Sequence, residues 1–411
     1  MEVKPGYKQT EVGVIPDDWD IKSVGEISDV KTGPFGSALH EKDYVREGTP
    51  IITVEHLGEY GVQYSNLPLV SDTDKARLKA YLLRKGDIVF SRVGSVDRNA
   101  LIRESENGWL FSGRLLRVRP AREQVLPKYL SYHFHSEAFK QRVKDVAVGQ
   151  TMASINTKIL MGVKAVVPPT LAEQEAIAEA LSDADALIEA LEQLIAKKRQ
   201  LKHGAMQELL TGKRRLPGFN GEWEEKKVWQ FGDVVTGGTP PTSMKEYWDG
   251  NIPWVTPTDL SREKDIATTE REITLQGLDV LRKLPANSVL VTCIASIGKN
   301  AILKREGACN QQINAIVPNN GHDANFLYYL FENSKQFLLA NAGTTATSII
   351  SKKDFSELTF SVPELPEQTA IAEILSDMDA EIAALEAKLA KTRQVKQGMM
   401  SVLLTGRVRL V

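Results

Sequence analysis

The residues best equipped for proton transfer, nucleophilic attack or metal binding are scattered along this chain. Six histidines, His40, His56, His133, His135, His203 and His322, are far apart except for His133 and His135. Two residues at i and i+2 on a helix point to different sides, which disfavours a shared metal. Cys293 and Cys309 are the only cysteines, so a disulfide framework and a cysteine-rich zinc site are both closed to it, and a reducing cytoplasm suits it. Ser296-Ile-Gly-Lys299 imitates a phosphate-binding loop for three residues. Asn300 then stands where such a loop needs Ser or Thr, and the upstream glycine is missing. Pro16-Asp17 with Asp20-Ile-Lys22 imitates a nuclease metal motif, yet the elements crowd into one turn and read more simply as a surface entry loop. There is no Gly-x-Gly-x-x-Gly cofactor loop and no Asn-Pro-Pro-Tyr-like motif of the kind amino-methyltransferases use. The chain is therefore expected to bind rather than catalyse, with no catalytic residue, metal or cofactor of its own.

Several polar segments suit nucleic acid instead. Ser91-Arg92-Val-Gly-Ser95, with Arg98, follows an apolar run, and the matching turn further on carries Lys299. A turn of this kind offers backbone N–H groups and a cation to a phosphate; an ordinary hairpin with solvated cations is the competing account. Segments from Gly149 and Gly343 supply Thr151, Ser154, Thr345 and Ser348, with Lys158 and Lys352 downstream. Thr239-Pro-Pro-Thr242-Ser243, followed by Lys245, Tyr247 and Trp248, is polar, stiff and aromatic, although Tyr247 and Trp248 also suit a core. Asn310 and Gln311 carry amides that match adenine in the major groove, or that satisfy buried backbone. Lys31 completes the candidate set.

The elements that position these residues are repeated. Leu171–Leu216 aligns without a gap to Leu365–Leu410, with about 29 of 46 positions identical. A spacing near 194 residues is too long for a solenoid and indicates a duplicated two-part unit. Thr170-Leu-Ala-Glu173 reads as a capping box and Pro366 sits in a first turn. Gly212 and Gly406 read as the residues just past two helices of about 40 residues each. Gly204 and Gly398 interrupt both helices at the same place, as at a kink or a close crossing. Leu181, Ile188, Leu191 and Ile195, repeated as Leu375, Ile382, Leu385 and Leu389, form a coiled-coil seam. Seven acids and no base lie from Glu173 to Glu192, then seven bases and one acid from Lys197 to Arg215; the second copy repeats the order. Parallel pairing would place like charges together, so the helices are expected to run antiparallel.

Fainter copies lie outside the helices. Asp29-Val-Lys-Thr-Gly33 returns as Asp233-Val-Val-Thr-Gly237, and Ile88-Val-Phe-Ser91 as Val289-Leu-Val-Thr292. Tyr129-Leu-Ser-Tyr132 returns as Phe326-Leu-Tyr-Tyr329. Between these, roughly 34–48 against 238–250 and 56–82 against 259–283, the copies share almost nothing. One frame thus carries two sets of loops, as expected of two readers with different ligands. No run of eighteen apolar residues is present, so no membrane span is expected. Net charge is −2, so if DNA is the ligand, another molecule must supply much of the phosphate neutralisation.

Taken together, the chain resembles the specificity subunit of type I restriction–modification enzymes over essentially its whole length. Pro-x-Leu-x-Glu-Gln-x-x-Ile-Ala-Glu-x-Leu, at Pro169–Leu181 and Pro363–Leu375, carries the resemblance, with Leu-Leu-Thr-Gly at 209–212 and 403–406 and Ile15-Pro-Asp-Asp-Trp19. The resemblance implies an α+β fold with two globular mixed α/β target recognition domains, at 1–166 and 217–361. Helical spacers at 167–216 and 362–411 would form an antiparallel coiled coil in a pseudo-two-fold repeat. It implies double-stranded DNA as ligand, read as a bipartite target through variable loops, with the coiled coil fixing the spacing between half-sites. The poor match between the two variable regions makes that target asymmetric. It also implies two modification subunits bringing S-adenosylmethionine, and restriction subunits bringing ATP and magnesium chemistry. The competing readings are a stand-alone nuclease or methyltransferase with a degenerate site, and a coiled-coil scaffold for proteins alone.

Overall fold

The capping signals mark where two long helices begin. In the computed structural model, which describes residues 4–34, 39–58, 61–149, 151–261, 263–344 and 348–410, these are Leu171–Leu209 and Leu365–Leu403. Thr170 Oγ1 accepts the Glu173 N–H at 3.2 Å, the first half of the expected capping box. The second half does not form, because the Glu173 carboxylate is taken by Arg409. Gly212 and Gly406 both adopt left-handed φ, +68° and +69°, which glycine takes without the penalty a Cβ would bring.

The chain divides into two compact units, one of residues 1–192 and 388–411, the other of 193–387. Each contains one globular body, the start of the helix that follows it, and the end of the other helix. The first unit centres on an antiparallel sheet ordered Ser28–Thr32, Leu115–Pro120, Ile88–Ser91, Asn99–Leu101. The second repeats it as Gly232–Thr236, Ile313–Pro318, Ser288–Thr292, Asn300–Leu303, and adds Asp265–Ile266 in parallel at the edge. A helix packs on each sheet, Pro127–His135 in one and Ala324–Asn333 in the other. The apolar runs Ile88-Val-Phe-Ser91 and Val289-Leu-Val-Thr292 are wholly buried, as expected of strands covered on both faces.

Within each unit the two long helices run in opposite directions. In the first, Glu173 pairs with Arg409, Asp185 with Lys396 and Glu192 with Arg393. In the second, Glu367 pairs with Arg215, Asp379 with Lys202 and Glu386 with Arg199. The exposed pairs, Glu192–Arg393 and Glu386–Arg199, contribute about 0–1 kcal/mol each, and all six together exclude the parallel arrangement. Leu181, Ile188, Leu191, Ile195, Leu375 and Ile382 are buried, while Leu385 and Leu389 are half-buried. The C-terminal Leu403 and Leu404 enter the first unit's core beside Trp19 and Leu181. Leu209 and Leu210 do the same in the second, with Leu375 and Phe326.

Gly204 and Gly398 depart from expectation. Each lies inside an unbroken helix, and a Cβ at either position would meet open space. No close crossing requires them. Gly204→Ala and Gly398→Ala are each expected to raise stability by about 0.5–1 kcal/mol through helix propensity. Urea unfolding of the full chain measures this; a loss of stability would restore a packing role.

Candidate nucleic-acid interface

Two sequence segments proposed separately meet in each unit. After strand Ile88–Ser91 the chain reverses through Arg92–Arg98, with Gly94 at φ +78°. Gly94 N–H donates to Ala153 O at 2.8 Å and Ile155 N–H to Arg92 O at 2.9 Å, so the turn and the loop from Gly149 form one surface. The second unit repeats the joint. Ala295 N–H donates to Ser348 O at 3.0 Å and Ile350 N–H to Cys293 O at 2.8 Å. The turn holding Ser296-Ile-Gly-Lys299 links two antiparallel strands, not a strand to a helix, which removes the phosphate-loop reading.

The candidate side chains differ in how free they are. Ser95, Thr151 and Lys158 are exposed on this surface in the first unit. Ser154 Oγ donates to Val148 O at 3.2 Å, and Arg92 reaches Gly113 O at 3.5 Å. Arg98 donates to Leu57 O, and Lys31 donates to Ala80 O at 3.0 Å beneath the Tyr81 ring. These last two cations shape loops before they meet any ligand. In the second unit Lys299 donates to Ser261 Oγ at 2.6 Å. Asn310 is buried, its carboxamide bonded to the Gln312 N–H at 3.0 Å and to Gln312 Oε1 at 3.1 Å, so it is spent inside the loop. Gln311 accepts from Thr239 Oγ1 at 2.6 Å. Thr242, Ser243 and Lys245 are exposed together, and Ser348 and Lys352 flank the other loop. Thr345 lies outside the described residues. Trp248 is core and Tyr247 is half-buried.

Among the described residues no three His, Cys, Asp or Glu gather as a metal site. Burial pushes the Cys293 and Cys309 thiols up to about 12, away from nucleophilic thiolates. Asp18 of the nuclease-like segment is held below the usual carboxylate range chiefly by its hydrogen bonds from Arg409. His133 accepts the Val166 N–H on Nε2 at 3.2 Å, and its Nδ1 has no partner among the described residues. Burial drives its pKa down to about 3. The unfolded chain, titrating near 6.5, then binds more protons than the folded one between about pH 3 and 6.5. Stability is whole above that window and falls with acidification. From pH 7.5 to pH 5.0 this histidine alone is expected to cost about 2 kcal/mol. His133→Gln, compared by urea unfolding at both pH values, should lose correspondingly less; an equal loss in both proteins would refute the assignment.

Sequence reasoning missed the residues that fasten each globular body to its helices. Gln174 is buried, accepting from Leu126 N–H at 2.8 Å and donating to Gln124 O and Pro168 O at 3.1 Å each. Gln368, its copy, accepts from Asp323 N–H at 3.1 Å and donates to Pro363 O at 2.8 Å. Tyr132 donates to Asp185 at 2.7 Å, and Tyr329 to Asp379 at 2.7 Å. Arg409 lies over Trp19 as Arg215 lies over Trp223. Recurrence in both copies, at an offset of 194 for Gln174, Asp185 and Arg215, was the available signal.

A frame used twice beneath unlike polar loops defines a class: paired recognition modules. The model for the type I restriction modification DNA specificity domain matches residues 16–200 and again 220–394. The chain belongs to this family and carries two copies of its domain. It is 26% identical to a type I restriction enzyme specificity subunit of Methanocaldococcus jannaschii, across 98% of this chain and 97% of that one. It is 29% identical over 187 residues to the EcoR124I/EcoR124II specificity subunit of Escherichia coli, 43% of this chain and 46% of that one. Its fold is shared with the S subunit of a type I restriction–modification system from M. genitalium, at a TM-score of 0.59 and 14% identity over 98% of both chains. The HsdS subunit from Thermoanaerobacter tengcongensis is also similar, at a TM-score of 0.51 and 16% identity, over 96% of this chain and 98% of that one.

Proposed function

We propose that this specificity subunit reads a bipartite, asymmetric DNA target, one half with each unit, and directs adenine methylation and restriction that its partners carry out. The observation that carries the reading is the repeated scaffold, in which one joint of turn and loop recurs in both units while the segments between the matching parts, roughly 34–48 against 238–250 and 56–82 against 259–283, share almost nothing. Scaffold loops hold phosphates and variable loops reach base edges in the major groove. The near-neutral charge fits a chain that shares the duplex with other subunits. Two modification subunits supply S-adenosylmethionine, and restriction subunits supply ATP- and magnesium-dependent chemistry, all in the cytoplasm. No described helix is long and apolar enough to cross a membrane. The pairs of oppositely directed helices set the spacing between half-sites.

Purified chain incubated with DNA, magnesium, ATP and S-adenosylmethionine is expected to yield neither methylated nor cut product. Adding modification subunits should restore methylation at a defined sequence. Turnover by the chain alone would instead establish the stand-alone enzyme.

A further inference from the structure

We infer that the loop Thr239–Lys245, gripped from beneath by the indoles of Trp248 and Trp254, selects the bases of the half-site read by the second unit. This rests on the DNA-reading role proposed above and names the side chains that carry it. Trp254 Nε1 donates to Gly238 O at 2.9 Å and Trp248 Nε1 donates to Pro241 O at 3.3 Å. The two rings meet edge to face at 5.0 Å, and the Arg271 guanidinium lies 3.8 Å over Trp248 and 5.3 Å over Trp254. Both indoles are almost wholly buried. Gly238 N–H donates to Cys309 O at 2.8 Å, and Thr239 Oγ1 to Gln311 at 2.6 Å. At the far end Thr274 Oγ1 donates to Glu246 O at 2.6 Å and Thr274 N–H to Tyr247 O at 3.0 Å. Pro240 and Pro241 restrict the backbone between these anchors.

An ordinary exposed loop has no need of two buried indoles and a stacked guanidinium. Such anchoring removes the entropy cost of ordering the loop when a ligand arrives. What the loop presents is also unspent. Thr242, Ser243, Met244 and Lys245 all face solvent, whereas Asn310, Gln311 and Lys299 are already bonded within the protein. Hydroxyls suit any base edge, a lysine suits guanine O6 and N7, and a methionine methyl suits the thymine methyl. Trp248, Trp254 and Arg271 act through the loop and are positioning residues; Thr242, Ser243, Met244 and Lys245 do the reading.

The test uses the full chain assembled with its modification subunits, methylating a randomised DNA library whose modified adenines are mapped by sequencing. Replacing Thr242, Ser243 and Lys245 together by Ala should relax positions in one half-site, with discrimination there falling about tenfold or more per lost contact. The other half-site is an internal control and should stay unchanged. Trp248→Phe with Trp254→Phe leaves a smaller aromatic ring at each place and removes both N–H donors. It should relax the same positions, whereas a merely structural role would weaken methylation of every site without altering the sequence. An unchanged half-site in the triple variant overturns the inference. If exchange of 217–361 for a relative's domain still changes one half-site, the bipartite reading survives that result; if the exchange changes neither, both fall.

Discussion

Replacing Arg215 by methionine is expected to destabilise the chain and lower its melting temperature. The guanidinium makes two bonds to the Glu367 carboxylate, from Nε at 2.7 Å and from Nη2 at 2.7 Å. The Glu367 side chain is only 4% exposed, so losing its cation strands a buried charge, with the Trp223 N–H at 3.3 Å as the remaining donor. Replacing both partners by apolar residues of similar volume should recover most of the loss, because the cost lies in the unpaired charge rather than in the missing bond. A single replacement as mild as the double one would show that the pair does not fasten the helix ends. Arg409 and Glu173, with Asp18 as a second acceptor, repeat the arrangement in the first unit, and Arg409→Met should behave alike.

Exchange of residues 217–361 for the matching segment of a relative should replace one half of the methylated sequence completely and leave the other half untouched. The segment carries the second sheet, the loop Thr239–Lys245 and the turn containing Lys299, but none of Ser95, Thr151 or Lys158. It carries strand Glu224–Lys227 and all of the partner strand Thr359–Val362 except Val362, which pairs with Glu224, so the graft brings most of that closure with it. Mapping methylated adenines before and after gives the outcome directly. A change in both halves would mean that the units do not read independently.

The opposed direction of the helices was legible because charge segregation is a one-dimensional property. Acids precede bases in both copies, and only one pairing avoids repulsion. Helix limits were legible for the same kind of reason, since Thr170, Gly212 and Gly406 act on neighbours within a few residues. The seam was legible through its period. Gly204 and Gly398 misled because a glycine in a helix signals either a close approach or nothing, and only the surrounding atoms tell which.

What the sequence by itself determined is the doubling, the two long helices and their direction, and the division between scaffold and variable loops. Only the tertiary structure decided which polar groups are free to meet DNA. Lys31, Arg98, Lys299 and Asn310 look equivalent to Ser95, Thr242 and Lys245 along the chain, yet the first four are bonded within the protein. Their acceptors include carbonyls 41 and 49 residues away and a serine hydroxyl 38 residues away. Likewise Gln174 reaches Leu126 across 48 residues. Local composition records what a side chain is able to bond, whereas its actual partner depends on which distant backbone the packed core brings within 3 Å.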